Sequence, residues 1–237
     1  MTVEVLFNEV CGLFGDAQNA SYLQAAMPEA QFLYTPLTAE PYFVQQDVDM
    51  LLIGSMTEDT QRRVIEILRP HRDRLDALIE KGVPILATGN AGEIFCKEII
   101  YLTEELRVDG LGFFDLTVKT DLFNRYNGKV LGTLNGIQIV GFRSQFSFWY
   151  GDNSRNYFLK CDRGTGINRD TDLEGVRRNN LICTQILGPI LPINPLFCEY
   201  FMGLAGVTAQ APYREAAMAA YTQRLQEFQN PKISFHS

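Results

Sequence analysis

The chain has 237 residues, 46% hydrophobic and 21% charged, enough for one large α/β domain and ordinary for a soluble globular protein. With 21 basic and 28 acidic side chains the net charge is −7, which excludes a general nucleic-acid binder and a polybasic membrane-surface protein, since both need clustered Lys and Arg. No apolar run is long enough to span a bilayer, and Met1-Thr2-Val3-Glu4-Val5 enters a strand pattern without a signal-peptide layout, so a cytoplasmic location is expected.

The first half alternates short apolar runs with helical periodicity. Residues 3–7 read as a buried strand, followed by a loop at 12–16 and a helix over 19–27. Strands are expected at 31–34 and 50–53. A helical region follows over 57–81, with Thr57 as N-cap and Glu58 and Asp59 in the first turn, where the helix dipole favours acids. Val64, Leu68, Leu75, Leu78 and Ile79 share its apolar face. Pro70 lacks the N–H of an interior helical bond and is expected to break it, and Gly82 to end it. Another strand over 84–88 runs into Gly89-Asn90-Ala91-Gly92, and a helix is expected after that turn. Alternation of this kind implies a mostly parallel sheet covered on both faces.

The second half has a different texture. Residues 116–121, 129–133 and 137–142 read as β segments, with Asn127-Gly128 and Asn135-Gly136 as hairpin turns. Further strands are expected at 157–160 and 181–186, separated by a polar surface loop or hairpin over 163–180. Helices are expected at 195–204 and 213–228, with Ala217, Tyr221, Leu225 and Phe228 on one face. There is no internal repeat and no linker, so residues 1–230 form one expected domain and 231–237 a loose tail.

Five cysteines, Cys11, Cys96, Cys161, Cys183 and Cys198, include no C-x-x-C pair, so reduced thiols are expected rather than disulfides or zinc. The only histidines are His71, flanked by Arg69 and Arg72 in a charged helix, and His236, in the tail. Neither is placed beside a cysteine on the turn after Thr88, so Cys-His and Ser-His chemistry are both improbable. Gly12 to Gly15 match neither phosphate-binding glycine motif, and Gly164-Thr165-Gly166 reads as a turn. Asp170, Asp172 and Glu174 read as a solvated acidic loop, not a metal site. Phe142, Phe146, Phe148, Trp149 and Tyr150 form an aromatic cluster that is either packing or a partner-binding patch.

Three segments together resemble the class I glutamine amidotransferases of the cobyric acid synthase type. Leu13-Phe14-Gly15-Asp16-Ala17-Gln18-Asn19 is similar to the family's Tyr-Gly-Asp-x-x-Asn loop. Asp49 to Met56, followed by Asp59 and Gln61, is similar to its strand, glycine-rich turn and acidic helix start. Leu187-Gly188-Pro189-Ile190-Leu191-Pro192 is similar to its His-Gly-Pro-Leu/Ile-Leu-Pro signature. Order and spacing agree over roughly residues 3–205. Within the family, the likeness is to the small subunit that supplies ammonia to a Mur-ligase-like partner in amidation of a peptidoglycan precursor.

The resemblance implies a flavodoxin-like three-layer α/β sandwich with a central mostly parallel sheet and antiparallel hairpin additions. It also implies a nucleophilic cysteine on the turn after Thr88 and a general-base histidine before Gly188. Here Gly89 and Leu187 occupy those positions, and neither side chain can attack an amide or move a proton. Glu93 stands where the family has a glutamine, and Gly141-Phe142-Arg143-Ser144-Gln145 departs from a Glu-Asn-His pattern. The sheet geometry places Gly54, Ser55, Gly89, Asn90 and Glu93, with Gln145, around a remnant pocket beyond the strand ends.

No catalytic residue, metal or cofactor is expected. The leading expectation is a non-hydrolysing partner or regulatory subunit of a Mur-ligase-like or related ATP-dependent synthetase, with a small molecule in the remnant pocket. The alternatives are an active amidotransferase or hydrolase with relocated groups, Cys11 and Glu93 first among them, and a structural homo-oligomer. Cys11 borders the first loop, the best place among the cysteines to reach the pocket. Cys96 would lie on the helix after the turn.

Overall fold

The computed structural model describes residues 1–236. Strand β1 (Thr2–Leu6) leads through helix α1 (Ala17–Ala26) to β2 (Gln31–Thr35), then β3 (Met50–Ile53). Helices α2 (Glu58–Leu68) and α3 (Arg72–Glu80) return the chain to β4 (Ile85–Thr88). All these strands pair in parallel, because each helical crossover brings the chain back to the same end of the sheet.

The helix signals act where the residues place them. The Thr57 hydroxyl accepts from Thr60 N–H at 3.3 Å and caps α2. Pro70 sits in a 3₁₀ turn, Arg69–His71, that separates α2 from α3. Gly82 turns the chain with φ +81°, a conformation that disfavours a Cβ.

The additions, antiparallel except for the parallel pair β5–β7, begin at β5 (Cys96–Tyr101), β6 (Leu106–Asp109), β7 (Phe114–Thr120), β8 (Tyr126–Leu134), β9 (Ile137–Gln145) and β10 (Ser147–Tyr150). They continue through β11 (Leu159–Arg163), β12 (Leu173–Glu174) and β13 (Val176–Arg178), and β14 (Leu181–Thr184) then rejoins the central sheet beside β4. Helices α4 (Ile190–Ile193), α5 (Pro195–Leu204) and α6 (Arg214–Gln229) close the chain. The central sheet runs β13-β14-β4-β3-β1-β2, and two four-stranded sheets, β10-β7-β5-β6 and β12-β11-β8-β9, stand beside it.

Alternate residues of the central strands feed two cores. Leu51, Ile53, Ile85 and Ala87 pack with Val64, Ile65 and Leu75 from α2 and α3. Met50, Leu52 and Leu86 pack on the other face with Leu23 of α1 and Phe197 and Phe201 of α5. This is the expected flavodoxin-like three-layer sandwich, and the period of two decides which side chain enters which core.

Four local expectations give way. Cys96 starts strand β5, because the turn after β4 stays 3₁₀ over Gly89–Phe95 and no α-helix follows. Asn127 and Gly128 lie inside β8, paired with Ser144 and Arg143, so only Asn135-Gly136 makes a hairpin turn, with φ of 48° and 83°. The polar stretch 163–180 holds β12 and β13, and Glu174 within it is fully buried, not solvated. Nor is the end of the chain loose through residue 236: Phe235 is buried against Tyr221 and Leu131, and its carbonyl accepts from Lys129 N–H at 2.9 Å. His236 meets the Tyr126 hydroxyl through Nδ1 at 2.9 Å.

Candidate functional site

A cleft of about 200 Å³ opens beyond the carboxyl ends of β3, β4 and β14. Of the residues expected there, Ser55, Gly89, Asn90, Glu93 and Gln145 line it, together with Leu187. Gly54 does not: it lies behind the cleft wall, where a Cβ would strike the Cys11 carbonyl oxygen. Its role is close approach of two loops rather than ligand contact.

Gly89 has φ +60°, the strained turn on which a strand-to-helix nucleophile would sit. The space beside it is occupied. A Cβ on Gly89 would lie 2.7 Å from Ser55 Cβ and 3.1 Å from Leu187 Cδ2. Ser55 is fixed in turn: its N–H donates to Asp16 Oδ2 at 3.0 Å and its hydroxyl to the Leu13 carbonyl at 2.9 Å. Leu187 is buried, and its N–H donates to the Phe142 carbonyl at 2.9 Å. The position across from Gly89 is therefore held by an apolar side chain on a tethered backbone.

Asn90 serves the framework. Its amide accepts from Met56 N–H at 2.9 Å and donates to the Met56 carbonyl at 2.8 Å, locking the turn after β3 to the turn after β4. Asp16, quoted above only as a motif residue, lies under both turns. Besides Ser55, it accepts from the Thr88 hydroxyl at 2.7 Å, and burial raises its pKa.

Glu93 forms the floor, fully enclosed by donors. Gln61 Nε2 donates to it at 2.8 Å, Trp149 Nε1 at 3.3 Å, and the Ser147 hydroxyl closely. Gln61 is itself anchored by the Tyr101 hydroxyl at 2.7 Å. Burial pushes the Glu93 carboxyl up to about 7, with the three donors pulling the other way. Trp149, of the aromatic cluster, is wholly buried as a donor to it, whereas Phe142 and Tyr150 keep exposed surface.

The opposite wall rests on Arg143, which sequence reasoning noted only as part of a departure from a pattern. It is 1% exposed. Its guanidinium donates to Gln145 Oε1 at 2.8 Å, to the Thr165 carbonyl at 2.7 Å, and to the Gly166 carbonyl and Gln185 Oε1. Gln145 and Gln185 both donate onward to the Ser147 carbonyl. Glu174 completes the set, accepting from Thr184 Oγ1 at 2.9 Å and Gln185 N–H at 2.8 Å. Burial lowers the Arg143 pKa and raises that of Glu174, while their mutual attraction opposes both shifts. The cue in the sequence was a charged residue at an inward position of a strand, Arg143 between Gly141 and Gln145.

One charged wall group remains open to a ligand: Arg125, stacked 4.4 Å from the Phe146 ring, is the one cation lining the cleft among the described residues. The Thr120 hydroxyl has no hydrogen-bond partner among the described residues, but its oxygen is buried.

No cysteine lines the cleft. All five are buried. Cys11 faces the small space behind Gly54, its thiol pushed up to about 12 by burial and then by Glu9, so its border position in the sequence does not bring it to the site. His71 sits half-buried on the 3₁₀ turn at Pro70, and His236 meets Tyr126. Among the described residues, no cluster of three potential metal-ligating side chains occurs.

No protein-family model matches the chain. It is 27% identical over 163 residues to the lipid II isoglutaminyl synthase (glutamine-hydrolyzing) subunit GatD of Staphylococcus aureus (strain N315), a match covering 66% of this chain and 63% of that relative. The chain thus spans less than two thirds of the length of the curated relative it matches. Among solved structures, a glutamine amidotransferase superposes with a TM-score of 0.56 at 18% identity, covering 86% of this chain and 99% of the other. The PurLQS structure from Thermotoga maritima gives 0.54 at 12% identity, covering 94% and 98%. These likenesses identify the fold, and none reports on Gly89 or Leu187.

Proposed function

We propose that this chain, glutamine amidotransferase-like in fold and in sequence similarity, does not hydrolyse glutamine but acts as a partner or regulatory subunit of an amidating synthetase. The synthetase would be Mur-ligase-like or a related ATP-dependent enzyme of the cytoplasm. The observation that carries the reading is the filled nucleophile position: Gly89 has no side chain, and Ser55 and Leu187 occupy the space one would need. The name of the staphylococcal relative, a subunit of lipid II isoglutaminyl synthase, supports the synthetase partner. Arg125 and the apolar wall of Phe14, Phe146 and Leu187 support a small ligand with an anionic group in the cleft. The reading asks for no metal or cofactor.

A second reading, hydrolysis by relocated groups, draws on Glu93, a carboxyl at the cleft floor held near neutral pH. The cleft lining offers it no cysteine, and no histidine to activate the serine hydroxyls there. The deciding experiment measures ammonia release from glutamine by the purified protein, alone and with the product of its gene neighbour. The first reading expects none above background, and release abolished by substituting one of the cysteines would sink it.

A further inference from the structure

At the other end of the strands lies a second, mainly polar groove of about 460 Å³. The strand directions place it there. β8 runs away from the cleft to the Asn135 turn, and β9 returns to Ser144 and Gln145 at the cleft. β14 likewise runs from the turn at Asn179 toward Gln185 and Leu187. The groove forms where the Asn135 turn, the segment before β11 and the β13–β14 turn meet.

Two arginines face it, Arg155 and Arg177, and no carboxylate lines it. Neither arginine is in an ion pair among the described residues. On a chain of net charge −7, this is a local reversal of sign. Nearby acids lie outside the lining: Asp162 accepts from the Thr133 hydroxyl at 2.8 Å, and exposed Asp152 accepts from Ser154 N–H at 2.9 Å, with its pKa lowered by that bond and, more weakly, by the charge of Arg155.

The backbone segments that carry the two arginines are tied together. Arg177 N–H donates to the Asn156 carbonyl at 2.6 Å, tying β13 to the segment that carries Arg155. Asn153 is buried and donates to the Gly175 carbonyl at 3.0 Å, fixing the same junction from beneath. Buried Phe158 and Leu134 form an apolar floor. Asn135 and Asn156 add amides at the rim, where Asn179 is engaged as a donor to the Ile79 carbonyl at 3.0 Å, and Tyr157 is 38% exposed.

We propose that this groove binds a phosphate-bearing anion, a diphosphate or phosphate monoester, free or carried on a nucleoside. A guanidinium presents a planar fork of donors that matches phosphate oxygens two at a time. Two forks on two segments fit a ligand with at least two negative charges, and such a ligand relieves the repulsion between them. The proposal stands apart from the reading of the cleft and survives if that reading fails.

The test is titration calorimetry of the whole chain with inorganic pyrophosphate, ADP and citrate at low ionic strength. The expected result is one saturable pyrophosphate site per chain. Arg155→Gln and Arg177→Gln each weaken it tenfold or more, and the double variant abolishes it. Arg63→Gln, exposed on α2 and outside both the groove and the cleft, leaves it unchanged. Tighter binding of ADP than of pyrophosphate assigns a nucleoside-borne phosphate, and the reverse a free one. Absence of saturation at millimolar pyrophosphate, citrate binding more tightly than either phosphate compound, or retention of the site in the double variant overturns the proposal. Unchanged thermal midpoints keep a loss of binding from being a loss of fold.

Discussion

The cleft has two walls of opposite character. The wall built by the parallel sheet, at Ser55, Gly89 and Leu187, is emptied of chemistry: a glycine stands at the turn and neighbouring carbon atoms fill the space beside it. The wall built by the additions is dense with polar groups, Arg143, Gln145 and Ser147, tied by hydrogen bonds to one another and to Gln185 at the end of β14. Glu93 joins the two, reaching from the turn after β4 to Ser147. The contrast teaches that reactivity and shape are separable here. The cleft lining presents no thiol and no imidazole, while the polar wall is rigidly supported.

The largest expected effect comes from breaking the polar wall. Arg143→Met leaves two carbonyls and two side-chain amides without their donor, and leaves Glu174 buried without its cation. Removing one member of such a set destabilises by about 4 kcal/mol. Urea unfolding is expected to show that loss, and a change under about 1 kcal/mol would mean the network contributes little.

Next is the carboxyl at the junction. The folded-state pKa of Glu93 is raised from 4.5 to about 7. Folding therefore favours its protonated form. That contribution is fully present below the unfolded value and is lost as pH rises toward the folded one. Stability from this group is expected to fall by about 3 kcal/mol between pH 4.5 and 7 and to change no further above it. Unfolding followed across pH in Glu93→Gln and the parent isolates the term, because other buried acids titrate in both. Parallel curves would contradict the shift.

The emptied wall should respond least, and in a coupled way. Gly89→Ala places a Cβ at positive φ against Ser55 and is expected to destabilise by about 2 kcal/mol. In a Ser55→Gly background the backbone strain remains and the clash is gone, so about half of that loss should return. Additive effects would show that Ser55 does not fill the nucleophile position.

The parallel half of this molecule was legible because its determinants are local. Thr57, Pro70, Gly82 and the alternation within residues 50–53 each act through their own neighbours in sequence. The antiparallel half was not, because its pairings join distant segments. Asn127-Gly128 has the composition of a turn, yet its pairing with Ser144 and Arg143 draws it into β8. Glu174 reads as a loop acid until Thr184 and Gln185 are brought to it. The same division runs through the site. Gly89 and Leu187 could be placed by motif, whereas the support supplied by Arg143, Gln61 and Asp16 depends on contacts that no spacing in the chain records.

The most direct test of the central claim is covalent labelling by an electrophilic, thiol-directed glutamine analogue, read residue by residue by mass spectrometry. The natural sequence is expected to show no label on any of its five cysteines, and the triple variant Ser55→Gly, Gly89→Cys, Leu187→His to take label at position 89 alone. Glutamine-protectable labelling of the unaltered protein, at Cys11 or any other thiol, would contradict the account.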